Sequence, residues 1–139
     1  MKQAMLNVLQ ADADLNALLT GGIHGVVEIN RRKTPTAFDS GNELLPCALL
    51  KQISAVPDGP YNTSQRLILS LIMYQLNNHA IIEQARHRAY ALLNQQRLMP
   101  INGGGGWLIE HNNDILDTYD DALNAYMIVS RFRAWVNRI

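Results

Sequence analysis

His79, Glu83 and His87 stand four residues apart in succession, a spacing that on a helix puts two imidazoles and a carboxylate on one face and can hold a metal ion. A further ligand would have to come from elsewhere, Glu110 or His111 being of the right kind. The face they share is nevertheless the polar one, where Glu to His or Arg pairs four apart are ordinary solvated support. We therefore assign no metal, no cofactor and no catalytic residue to it. The glycine run Gly103 to Gly106 has the composition of a phosphate cradle, but it precedes a strand pattern and lacks the Lys-Ser/Thr of a nucleotide-binding loop, so a flexible hairpin end is expected. Asp114, Asp117, Asp120 and Asp121 crowd a segment without the glycine and closing glutamate of a calcium loop, and a turn is expected there. No Gly-x-Ser-x-Gly elbow occurs. Cys47, followed by Ala48, Leu49 and Leu50, fits a buried strand position, because a reactive thiolate needs a cationic or helix-N-terminal setting.

Positive charge is concentrated at Arg31, Arg32 and Lys33, in a stretch without interleaved aromatic residues. Such a cluster suits an acidic partner surface or a passing phosphate backbone better than sequence-specific base reading. Twelve Lys plus Arg against twelve Asp plus Glu leave no net field to draw the chain to nucleic acid or to an anionic membrane. The single cysteine excludes an internal disulfide. No apolar run of a secretory signal follows Lys2, and Leu67 to Met73 is far shorter than the roughly 20 residues of a membrane-spanning helix, so no membrane contact is expected.

These groups must be positioned by a short series of elements. Met5, Leu6, Leu9, Leu15, Leu18 and Leu19 predict a helix over residues 2 to 20, with Asp12 or Asp14 placed to cap a second segment and Gly21 and Gly22 to end it. His24 to Asn30 predicts a modest strand, and Arg31 to Asn42 a flexible loop. Strands are expected at Leu44 to Ala55 and Arg66 to Leu76, joined by a turn-rich stretch from Val56 to Gln65. Asn77 or Asn78 opens the most regular helix, residues 78 to 95, whose stripe of Ile81, Ile82, Ala85, Ala89, Leu92 and Leu93 should cover one sheet face. A strand from Trp107 towards Asn113, a turn over Asp114 to Asp121 and a long strand from Ala122 to Val136 complete the chain.

The pattern describes one domain over residues 1 to 139, of α+β class, with a mainly antiparallel sheet, one long covering helix and an N-terminal helix. Helices of this number cover one sheet face. The strands from Arg66 to Leu76 and from Ala122 to Val136 are apolar on both faces, so part of Tyr126, Ile128, Phe132 and Trp135 is expected to form a subunit interface.

In the order of these elements, from the helix carrying Leu9-Gln10-Ala11-Asp12-Ala13-Asp14-Leu15 to the closing Arg131-Phe132-Arg133-Ala134-Trp135, the chain resembles the tail terminator, or tail-completion, proteins of long-tailed bacteriophages over nearly its whole length. The resemblance implies a non-enzymatic virion protein of the tail or neck, assembled in the host cytoplasm. It implies a homohexameric ring on the end of the tail tube that stops polymerisation and offers a docking surface to the head-tail connector or stopper protein. The implied partners are further copies of itself, the tail tube protein, the connector and, in a contractile tail, the sheath protein, with DNA passing non-specifically through the ring. Another connector or neck subunit is the alternative within the same assembly, and a small metal-dependent enzyme using the His79 face is the alternative from another class.

Overall fold

Asp12 divides the N-terminal apolar stripe into α1 (Lys2–Ala11) and α2 (Ala13–Leu18). Its backbone is extended (φ −82°, ψ 117°), and its side chain accepts the Leu15 N–H at 2.9 Å, capping α2. Both oxygens of the same carboxylate accept from Arg88, at 2.9 and 2.7 Å. The Arg88 bonds and the Leu15 N–H hold the Asp12 carboxyl down at about 2. Gly22 takes φ +90° beyond α2, and at Gly21 any Cβ would lie 2.9 Å from that of Cys47, so both glycines of the expected stop are required.

The computed structural model describes residues 1–58, 64–99 and 106–137. Five strands form one sheet in the order β1-β2-β3-β5-β4, where β1 is Ile23–His24, β2 Cys47–Asp58, β3 Ser64–Gln75, β4 Gly106–Asp120 and β5 Ala125–Asn137. Only β1 pairs in parallel, through Ile23 and His24. Of the strand expected from His24 to Asn30 only His24 pairs, and Val26 and Val27 stand 38% and 68% exposed. Leu44, the expected start of the next strand, makes an isolated bridge with Phe38, and β2 begins three residues later.

Two expected turns are corrected. β2 and β3 pair without interruption from Cys47 opposite Tyr74 to Asp58 opposite Ser64, apart from a bulge at Ile53, so the connection is narrower than residues 56 to 65. Pro57 is tolerated there because β1 does not reach this part of β2, whose outer edge pairs with no described strand. The Asp-rich stretch from Asp114 belongs to β4 as far as Asp120. Three register shifts, between Gly106 and Ile109, His111 and Asn113, and Ile115 and Thr118, each insert one residue into β4 and admit polar residues on the sheet edge. The last strand accordingly starts at Ala125 and not at Ala122.

α3 (Ala80–Leu93), within the expected residues 78 to 95, starts on two borrowed caps: Asn78 Oδ1 accepts from Ala80 N–H at 2.9 Å, and Gln75 Oε1 from Ile81 N–H at 2.8 Å. Its Ile82, Ala85, Ala89 and Leu93 are fully buried, against Leu69, Leu71, Met73, Ile128 and Phe132 of the sheet and against α1 and α2. Ile82 and Leu93 together contribute about 3–6 kcal/mol of transfer energy. The α+β class, the mainly antiparallel sheet and the covering role of the long helix are as the sequence predicts.

On the opposite face, rows of side chains cross β2, β3 and β5. Two rows, Cys47-Tyr74-Met127 and Leu49-Ile72-Val129, lie under a second apolar cluster that adds Ile29, Ala37, Leu44 and Ala125. The next three rows, Lys51-Ser70-Arg131, Ser54-Ile68-Arg133 and Val56-Arg66-Trp135, have no cover from another described element.

Candidate interaction surfaces

The cover of the second face is supplied by the loop that carries the basic cluster. Asn30 and Thr34 bind each other three times: the Asn30 N–H donates to Thr34 Oγ1 at 3.1 Å, and both that hydroxyl and the Thr34 N–H donate to the Asn30 carbonyl, each at 2.9 Å. A 3-10 turn at Pro35–Ala37 follows, and Leu45 N–H returns to the Ala37 carbonyl at 2.8 Å. Thr34 and Ala37 are thereby buried against the sheet side. Arg31, Arg32 and Lys33 occupy the outer, exposed side of the same loop. Arg31 lies 5.2 Å over the Phe38 ring and donates to the Asn42 carbonyl at 3.0 Å, while Lys33 reaches Glu28 at 3.4 Å. Between this loop and the β4–β5 turn lies a groove of about 360 Å³, lined by Glu28, Arg31, Phe38, Leu123 and Asn124 among others. The segment expected as a flexible loop thus has a folded inner side and an exposed basic outer side.

The four residues expected at a subunit interface separate. Ile128 and Phe132 are 1% and 0% exposed in the core under α3, so the fold itself consumes them. Tyr126, on the same side of β5 but past the start of α3, is 36% exposed and meets Tyr119 edge-on at 5.4 Å and His79 at 4.8 Å. Trp135 faces the opposite way, on the uncovered rows, with the Arg133 guanidinium 5.4 Å from its ring.

The histidine face is resolved into separate partnerships. His79 turns to Tyr126, and its Nε2 is buried without a hydrogen-bond partner. Glu83 is engaged by Arg86, with His87 at 3.5 Å. Arg86 also donates to Asp114 Oδ2 at 2.7 Å, and Asp114 Oδ1 accepts from His111 at 2.9 Å and from Ser130 at 2.6 Å. Burial alone would raise the Asp114 carboxyl, but the bonds from His111, Ser130 and Arg86 outweigh it and hold the group below the ordinary carboxylate range. Ser130 is buried and donates to the aspartate, not to a histidine, so this set joins α3 to β4 and β5. Among the described residues no three His, Cys, Asp or Glu side chains are gathered as a metal site requires. Cys47 is buried, which pushes its thiol up to about 12, far from a reactive thiolate. Gly103, Gly104 and Gly105 lie outside the described residues, and Gly106 opens β4. No described helix is long and apolar enough to cross a membrane.

Sequence reasoning passed over a second basic surface. Lys51, Arg66, Arg131 and Arg133 come from three strands and meet only through the pairing of β3 with β2 and β5. A local signal existed in the alternation Arg131-x-Arg133-x-Trp135, which puts all three on one face of a strand.

No family model matches the chain, and neither does any curated protein. Among solved structures it is similar to a chain from a structure described as the virion of a native gene transfer agent (GTA) particle, with a TM-score of 0.67 and 16% identity, over 99% of this chain and 95% of that one. At this identity the likeness establishes a common fold from end to end.

Proposed function

We propose that the chain is a structural virion protein, a tail terminator that forms a six-fold ring on the end of a phage-like tail tube, stops its polymerisation and presents a surface to the head-neck connector. The observation that carries the reading is the fold, shared along essentially the whole length with a chain of a virion-like particle. The polar clusters add support. Asp114, His111 and Ser130 are spent on joining elements, Cys47 is buried, and the groups open to solvent include charged, aromatic and aliphatic side chains suited to protein contact. The partners are then further copies of the chain, the tube protein and the connector or stopper, with DNA passing through without sequence recognition. The protein acts in the tail or neck of the particle, without catalysis.

Deleting the gene from its parent particle tests this. A terminator's loss gives tails of uncontrolled length, restored to normal by complementation. Tails of normal length that fail to join heads would instead identify a connector or stopper subunit.

A further inference from the structure

No described element covers three rows of the second sheet face, and their composition is specific. Lys51, Arg66 and Arg131 have no carboxylate partner among the described residues, and Arg131 Nε is shielded from solvent with no acceptor. Arg133 is held by Glu110 at 3.1 Å. Ile68 and Trp135 lie half-buried among these cations. A surface mixing an aromatic ring, an aliphatic side chain and arginines has the make-up of a protein contact centre, whereas a track for a duplex phosphate backbone needs cations alone.

The tip of the β4–β5 hairpin has the complementary character. The bulge at Leu116 and Asp117, where Asp117 takes φ 52°, turns both side chains outward, and Leu116 is 47% exposed. Tyr119 and Tyr126 stand beside them, 48% and 36% exposed, with Asp120 and the exposed Asp121 at the turn. Nine residue steps along extended β5 separate Tyr126 from Trp135, about 30 Å at strand rise, so one molecule cannot bring its own tip to its own open face. The chain as a whole is neutral, yet Asp117, Asp120 and Asp121 gather at the tip while Lys51, Arg66, Arg131 and Arg133 gather on the open rows, with Glu110 beside Arg133.

We propose that the open half of the sheet face is the docking surface for the hairpin tip of a second copy of the chain, Asp117 and Asp121 meeting Arg66 and Arg131 around a contact of Tyr119 or Leu116 with Trp135. The contact is head-to-tail, the kind that closes into a ring under rotation. The pairing deepens the ring reading above and rests on it.

The test is sedimentation velocity at rising concentration and low salt, on the parent and three variants: a face reversal (Arg66→Glu with Arg131→Glu), a tip reversal (Asp117→Lys with Asp121→Lys), and all four changes in one chain. Each reversal alone should weaken self-association at least tenfold, the combined variant should recover it, and added salt should weaken the parent. Circular dichroism of each variant confirms folding, and single Arg66→Ala or Asp121→Ala exchanges at these exposed positions serve where a reversal fails to fold. A parent that stays monomeric throughout, association indifferent to either reversal, or association that appears only on adding short duplex DNA overturns the proposal. A six-fold ring in the particle whose contacts avoid both patches would overturn it too, while leaving the terminator reading intact.

Discussion

Replacing Phe132 by alanine tests the strand register on which both the core and the open face depend. The ring is fully buried beneath α3 and meets His111 edge-on at 5.5 Å. An aromatic side chain buries about 150–250 Å², worth about 4–6 kcal/mol at 25 cal/mol per Å² as an upper bound. Measured losses for such truncations are about 3–5 kcal/mol, the residual cavity included. For a domain of this size, where 1 kcal/mol moves the melting point by roughly 3 °C, the variant should melt about 10–15 °C below the parent. The companion variant is Arg133→Ala, next along β5 but on the other face. Its ion pair with Glu110 joins side chains 37% and 42% exposed, and exposed pairs of this kind contribute about 0–1 kcal/mol. Thermal and urea unfolding followed by circular dichroism give both numbers. A one-residue slip of β5 would exchange the two faces. A Phe132→Ala loss below about 1 kcal/mol, or a larger loss for Arg133→Ala, would refute the register and the division of the sheet into a covered and an open face.

Three further outcomes are expected. Asp12 is depressed from an ordinary 3.8 to about 2, so its contribution is complete above pH 4 and lost as pH falls through about 2; the urea midpoint of the parent should drop more steeply between pH 4 and 2 than that of Asp12→Asn, and parallel slopes would show that the Arg88 contact is idle. Asp114→Ala leaves the buried Ser130 hydroxyl without its acceptor and should cost about 1–3 kcal/mol in urea unfolding; a neutral effect would mean that the network joining α3 to β4 and β5 does not contribute. In hydrogen exchange, the bonded amides of Thr34, Ala37 and Leu45 should be slower than those of Arg31 and Arg32, and uniformly fast exchange across residues 31 to 45 would remove the folded inner side of the loop.

What was legible in the sequence is the part set by local periodicity and capping. The stripe from Ile82 to Leu93 has a single helical face, and Asp12 stands where an acceptor can both end one helix and start another. The faces of β5 were not legible, because Met127, Val129 and Trp135 are as apolar as Ile128 and Phe132 and only the pairing with β3 says which set lies under α3. The second half of β4, from Asp114, was hidden by its aspartates, residues that strands avoid in a sheet interior but that a bulged edge accommodates. The inner side of the loop rests on Thr34 and Ala37, residues too small to stand out in a polar stretch. The basic face is a product of register, assembled from positions as far apart in sequence as Lys51 and Arg133.

The central claim, a ring at the end of a tail tube, is tested most directly by a cryo-electron microscopy reconstruction of the assembled particle with this chain located in the density. The account predicts six copies around the tail axis, seated between the last tube ring and the connector, with the hairpin tip of each against the open sheet face of the next. A single copy, or copies on the capsid away from the tail axis, would contradict it.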